Sequence, residues 1–237
     1  MSDNLTGNLG LPLLLPAQAQ KHVTVNDAFM RLDGMVDLLL QSTRRTAPPA
    51  SAIDGMCWAV PQGAVNAWEG RAGEIAIGAN GGWVFAMPRA GNRAFVADSG
   101  VQALYDGQKW VEGALTLGSH GAGLIAMQET EDVALTPGAM VESTLILPQG
   151  AMVLGVTARV TEAITGSLTS WRLGTQGADN RFGSGLGKGK GSWARGILSQ
   201  PMTYWEDAPL RIFATGGDFA GGAVRLVAHW LELRVPD

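Results

Sequence analysis

The stretch "GSGLGKGKGS" at 183–192 places glycines and lysines close enough together to invite a phosphate-cradling reading. A phosphate loop needs G-x-x-x-x-G-K-[ST] between a strand and a helix. Here no glycine stands five positions before a glycine followed by lysine, and neither Lys188 nor Lys190 precedes Ser or Thr. An exposed loop between strands is the expectation, with no nucleotide site. The three histidines, His22, His120 and His229, have no cysteine or paired carboxylates at ligand spacing, so neither a metal nor another cofactor is expected. Glu129, Glu131 and Asp132, with Glu206 and Asp207, can serve glycoside hydrolysis only if the fold brings two of them within about 5–10 Å. Acid clusters of this kind belong more often on solvated turns. No G-x-S-x-G elbow is present, and Cys57, between Met56 and Trp58, reads as a small buried apolar group.

A surface pattern is what remains. Between Trp171 and Gly196 stand Arg172, Arg181, Lys188, Lys190 and Arg195 against the single acid Asp179, in a chain whose net charge is −4. Trp171, Trp193, Tyr204 and Trp205 lie among or beside them. Aromatic faces cover the apolar faces of sugars and cations hold carboxylates, so these nine residues form a candidate contact for an acidic polysaccharide or an acidic fibre. The competing reading makes the tryptophans core and the charges solubilising; both stay open at this point.

The elements that must position these residues follow from composition and period. With 33 glycines and 16% charged residues, the chain reads as short strands and tight turns. Its acidic balance gives no general attraction to nucleic acid, and no apolar run approaches the roughly 20 residues that span a bilayer. A single cysteine excludes an internal disulfide framework. The opening "LGLPLLLPAQAQ" offers a leucine run and an A-x-A, but no Lys or Arg precedes Lys21, and Pro12 and Pro16 bracket the leucines. It is expected to be retained as an arm. Leu11, Leu13, Leu14 and Leu15 are too proline-interrupted for a helix and too apolar to float free, and are expected to dock on a particle partner.

Thr24 reads as an N-cap with Asp27 in the first turn. Val25, Phe29, Leu32, Val36 and Leu39 then recur at helical spacing, widened by Ala28, Met35 and Leu40, with Arg31, Asp33 and Asp37 opposite. This predicts one amphipathic helix of about four turns ending before "RRTAPPAS". It must pack on its own domain or on sister helices in an oligomer, its own domain being preferred. From 55 to 112 the chain breaks into short, Trp-bearing pieces that read as a small antiparallel β-domain, with hairpin turns at Asn80-Gly81-Gly82 and Asp106-Gly107. "GALTLGSHGAG" reads as a hinge. Beyond it, Met152, Leu154, Val156, Ala158 and Val160 alternate, as do Val141, Ser143, Leu145 and Leu147, and Leu210, Ile212 and Ala214. Residues 224–235 are apolar on both faces, as in a central strand. The expected class is mainly β: an arm and helix over 1–45, a small Trp-rich β-domain over 46–115, and a jelly-roll-like antiparallel sandwich over 116–237.

The stretch "LPLLLPAQAQKHVTVNDAFMRLDGMV" closely resembles the N-terminal signature of a bacterial and prophage family of domains of unknown function, in which P-A-Q-A-Q-K-H-V-T-x-N-[DE]-A and a following L-D recur. "TAPPAS", "AWEG" and "YDGQKWV" resemble the same family, so the likeness covers about residues 9 to 112. Such domains occur in phage tail or spike gene clusters and in gene transfer agents. The resemblance implies a non-enzymatic virion structural protein, similar to a head-spike base that links capsid proteins to a spike fibre and serves attachment to the recipient cell. It implies a homo-oligomer, a pentamer before a trimer, made in the bacterial cytoplasm and carried in an extracellular particle, with no nucleic acid bound and no membrane insertion. A free-standing carbohydrate-binding protein and a glycan-degrading spike are the alternatives.

Overall fold

Helix α1 spans Lys21–Met35 in the computed structural model, which describes residues 5–14 and 21–236. It therefore starts before Thr24, and Leu39–Leu40, expected to be its last turn, forms strand β1. The buried face is also not the expected one. Met30, Asp33 and Gly34 point inward, whereas Leu32, Val36 and Leu39 are 49%, 40% and 46% exposed. Gly34 explains the rotation: a Cβ there would lie 2.7–2.9 Å from three carbons of buried Ile77, so only glycine lets the helix approach this closely. Gly34→Ala normally gains helix propensity of about 1 kcal/mol. Ile77 is β-branched and boxed in, so the clash is expected to win and to destabilise by about 1–3 kcal/mol, read as a lowered thermal midpoint.

The chain divides into two compact units, residues 1–121 and 122–237. In the first, β2 (Cys57–Ala59), β3 (Ile75–Ala79), β4 (Gly82–Ala86), β5 (Arg93–Val96), β6 (Val101–Tyr105) and β7 (Trp110–Glu112) join β1 in one sheet of order β4-β3-β2-β1-β5-β6-β7; β8 (Ala114–Leu117) follows. The sheet is not wholly antiparallel. Two-residue β1 lies at its centre and pairs in parallel with β2 and β5, because the helix returns the chain into the sheet between them. The β3–β4 turn is the expected hairpin: Asn80 and Gly81 have φ of 51° and 73°, the pair of positive values a type I′ turn requires. Trp58, Trp68 and Trp83 pack together with ring centres 5.2–6.0 Å apart, while Trp110 packs on Tyr105.

The second unit has eight strands, β9 (Gly123–Ala134), β10 (Met140–Leu147), β11 (Met152–Gly166), β12 (Ser170–Thr175), β13 (Ala178–Leu186), β14 (Trp193–Thr203), β15 (Ala208–Thr215) and β16 (Phe219–Arg234). They order as β14-β11-β16-β9 and β10-β15-β12-β13, every pair antiparallel. Counted within the unit, the two sheets read 6-3-8-1 and 2-7-4-5, the connectivity of a jelly roll. Both sheets bury their inner faces in one core, with Leu145, Leu147, Val156, Val160, Trp171, Leu173, Leu210, Ile212, Val224 and Leu226 almost fully enclosed. One expected alternation shifts. Val153 is buried and Leu154 exposed, because the β11 register slips between Val153 and Gly155 and the inward face moves to Val156, Ala158 and Val160.

Candidate functional site

The arm is held by two polar side chains of α1. Asp33, only 1% exposed, accepts hydrogen bonds from the Thr6 hydroxyl at 2.6 Å, the Asn8 N–H at 2.9 Å and the Leu9 N–H at 2.6 Å. Asn8 Nδ2 in turn donates to the carbonyls of Asp33 and Gly55. Farther along, Asn26 and Leu14 exchange two bonds: the Leu14 N–H donates to Oδ1 at 2.9 Å and Nδ2 donates to the Leu14 carbonyl at 3.0 Å. The arm is thereby seated on its own helix through its backbone, leaving Leu11, Leu13 and Leu14 partly exposed. Leu15 lies outside the described residues, and nothing is described of the His22 side chain. Sequence reasoning placed Asp33 on the solvent face; the "VNDA" and "LD" signatures were the available signal that Asn26 and Asp33 had work to do.

The nine residues of the cation–aromatic stretch do not share one surface. Trp171 is wholly buried, its Nε1 donating to the Gly187 carbonyl at 2.8 Å, and so cannot touch a glycan. The strands around it belong to different sheets, which separates its neighbours in sequence. Arg172 and Arg181 lie on β12 and β13: Arg172 pairs with Asp179 at 2.6 Å, and Arg181 reaches the Met202 sulfur at 3.2 Å. Lys188 is occupied as well, Nζ donating to the Leu168 carbonyl at 2.7 Å, while Lys190 is exposed. Both sit in the loop 187–192 beside the far end of β11, where the Ile164 N–H donates to the Lys188 carbonyl. Tyr204 and Trp205 follow Thr203, which pairs with Met152 at the near end of β11. The lysine loop and Trp205, 81% exposed, are thus separated by roughly 40 Å of strand.

Trp193 and Arg195 are brought together with residues the stretch did not include. Register aligns Trp193, Arg159, Arg225 and Asp132 in one row across β14, β11, β16 and β9, with Arg195, Thr157, Val227 and Thr130 in the next. Trp193 is 61% exposed, and the Arg195 guanidinium lies 5.8 Å from its ring centre. Arg159 reaches the Gly191 carbonyl at 3.4 Å. Arg225 grips Asp132 through two bonds of 2.6 Å, which hold that carboxyl below its ordinary range. A cavity of about 570 Å³ opens on this face. His229, in the same strand, is half-buried, and burial lowers its pKa, so the net positive charge of the face comes from the arginines. Arg159 and Arg225 occupy outward positions of alternating strands, a signal present in the sequence; what the sequence hides is which strands lie side by side.

Of the acid clusters, Glu131, Asp132 and Asp207 are engaged in structure, while Glu129 and Glu206 are exposed. Glu131 accepts from the Thr144 N–H and hydroxyl and the Leu145 N–H. Burial raises its pKa, but the bonds from Ser143, Thr144 and Leu145 outweigh that and leave it lowered. Asp207 accepts from the Gln149 N–H at 3.0 Å. Cys57 is buried against the Gly34 and Gly55 carbonyls, and burial, then the Asp33 charge, push its thiol up to about 12, so it is an inert core group. No helix among the described residues is long and apolar enough to cross a membrane.

No curated protein matches the chain. Among solved structures, "Cyanophage Pam1 capsid asymmetric unit" contains a chain 25% identical, the match covering 50% of this chain and 92% of that one, with a TM-score of 0.35. Residues 25–111, which carry most of α1, strands β1–β6 and the start of β7, match a family described as a protein of unknown function, DUF2793.

Proposed function

We propose that the protein is a non-catalytic structural component of a phage-like particle. In this reading it is a spike base that self-assembles through its first unit and presents the jelly roll for attachment. The observation that carries this is the apolar strip left on the first unit. Leu32 on the open side of α1 and Val36 just past its end stand one turn apart, the Val36 N–H donating to the Leu32 carbonyl, and Leu39 lies beside Phe95 across the β1–β5 pair, all at least 40% exposed. The helix turned this stripe outward to bring Asp33 and Gly34 inward, and copies of the same stripe around a symmetry axis would cover it. Sister helices thus become the favoured packing for this face, as a pentamer before a trimer.

The resemblance of residues 9 to 112 to domains of phage spike clusters and gene transfer agents supplies the particle. The structural roles of Glu131, Asp132 and Asp207 support a role without turnover. The Trp193–Arg195–Arg159 face supports contact with an acidic cell-surface polysaccharide or an acidic fibre foot, an attraction that should fade as salt shortens the screening length below about 8 Å. The same face favours the second reading, a free-standing carbohydrate-binding protein.

Sedimentation equilibrium and co-purification with particles test the proposal together. Wild-type protein is expected to be multimeric and particle-bound, and the double variant Leu32→Asp, Leu39→Asp to be a folded monomer missing from particles. A monomeric wild type, or a double variant that enters particles at the wild-type level, would overturn it.

A further inference from the structure

Arg159 and Arg225 lie directly opposite one another across β11 and β16, both exposed on the same face. Like charges so placed weaken a sheet unless an opposite charge lies beside them. Asp132, in the same row, is taken up by Arg225: its two oxygens accept from Nε and one terminal nitrogen, both at 2.6 Å. Arg159 and the exposed Arg195 of the next row open with Arg225 onto the cavity of this face, and among the described residues no acid lines it. Glu162, the next acid along β11, pairs with Ala223 beyond a register slip. The face therefore keeps two accessible guanidinium groups whose counter-ion comes from outside.

The Asp132–Arg225 pair shows what a carboxylate does here. Both of its oxygens go to one guanidinium fork, facing its two N–H groups in one plane. Arg159 and Arg195 stand diagonally on β11 and β14, about 7–8 Å apart, close enough for both forks to reach one small anion. Thr157 completes a triangle with them: it pairs with Arg195 across the strands and lies two residues before Arg159 on β11. Its hydroxyl is 3.4 Å from His229 Nε2, from which it can accept while donating its own proton outward. Two forks and a hydroxyl, arriving from different directions, call for three acceptor oxygens on one centre. A sulfate or phosphate ester presents three in a tetrahedral array, whereas a carboxylate presents two in a plane. Trp193, opposite Arg159 and 61% exposed, is placed to cover the ring that carries the ester.

We propose that Arg159, Arg195 and Thr157 form a subsite for one tetrahedral oxyanion, the sulfate or phosphate ester of a sugar whose ring lies on Trp193. This rests on the reading of the face as a contact for an acidic polysaccharide, and it names the acidic group that the face selects. An acidic fibre foot, offering carboxylates, is the poorer occupant.

Proton–nitrogen NMR of the full-length protein tests it, with Trp193→Phe deleting one indole signal and thereby assigning it. Glucose 6-sulfate and glucuronate carry the same single charge at neutral pH and differ in the geometry of the anionic group. The expected result is a saturable shift of the Trp193 signal by glucose 6-sulfate, with a Kd on the order of 1 mM and at least about fivefold tighter than glucuronate. Glucose 6-phosphate, also tetrahedral, is titrated beside it, and the tighter of the two esters names the source. Arg159→Ser and Arg195→Ser, both at exposed positions, are each expected to weaken ester binding at least about fivefold while leaving the other indole signals in place. Thr157→Val keeps the shape, deletes the hydroxyl and is expected to cut the preference over glucuronate about threefold. Absence of a shift with either ester, glucuronate binding as tightly as glucose 6-sulfate, or undiminished ester binding in either arginine variant would overturn the subsite. Polygalacturonate, whose acids are all carboxylates, then separates the two readings: if it still shifts Trp193, the acidic-polysaccharide contact stands without the subsite, and if it does not, both fall.

Discussion

Trp171→Ala is expected to destabilise the jelly roll by about 3–5 kcal/mol, and Trp193→Ala to leave its stability within about 0.5 kcal/mol of wild type. The two tryptophans lie in the same short stretch of sequence and carry the same side chain, so the contrast tests their placement alone. Trp171 has no exposed surface, fills the space between the sheets and satisfies its N–H on the Gly187 carbonyl. Its removal leaves a cavity of indole size and an unpaired carbonyl near the start of the lysine loop. Trp193 loses only an outward ring and the Arg195 contact. Urea unfolding read by far-ultraviolet circular dichroism measures both changes. Binding to an acidic polysaccharide should reverse the ranking, Trp193→Ala weakening it and any residual folded Trp171→Ala retaining it. Equal destabilisation by the two changes would mean that the inward and outward faces of this sheet pair are wrongly assigned.

The same pair shows what the sequence carries and what it does not. Alternation located the strands of the second unit, because a half-buried strand writes its inward face at every second position: Leu145 and Leu147, Leu210, Ile212 and Ala214 are all inward as read. A jelly roll then places most consecutive strands in opposite sheets, so neighbours in sequence such as Arg181 and Trp193 end on different surfaces. Arg159, Arg225 and Trp193, far apart along the chain, meet in one row. Period 2 reports a face but not a neighbour, and for that reason the contact surface was only partly legible. Where the period itself slipped, at Gly155, one extra residue reversed Val153 and Leu154 with no sign in residue type. In the first unit the hairpin turn at Asn80-Gly81 was readable because its positive φ values demand those residues. Strand β1 was not, since two leucines at a helix end satisfy a helical stripe as well as a strand.

Asp33→Ala is expected to release the arm and to lower the stability of the first unit by about 2–4 kcal/mol. One carboxylate with almost no exposed surface accepts from the Thr6 hydroxyl and from the N–H groups of Asn8 and Leu9, so its loss leaves three donors without a partner. Hydrogen bonds to a charged group contribute about 1.5–3 kcal/mol each when measured singly, but they do not add here, because the freed arm regains water and caps the loss at its own docking energy. Asp33→Asn separates charge from geometry. Its amide keeps one acceptor oxygen but turns N–H donors toward one of the two backbone N–H groups, so it too is expected to lose part of the arm. Asn26→Ala removes only the paired bonds to Leu14 and should free that end while Thr6 and Leu9 stay held. Amide hydrogen exchange distinguishes the three: Asn8, Leu9 and Leu11 should exchange fast in Asp33→Ala, at intermediate rates in Asp33→Asn, and slowly in Asn26→Ala. Retained protection of Asn8 and Leu9 in Asp33→Ala would show that the arm is held by its leucines and not by this carboxylate. A freed arm would also release Leu11, one of the leucines expected to meet the particle, from its place against the first unit.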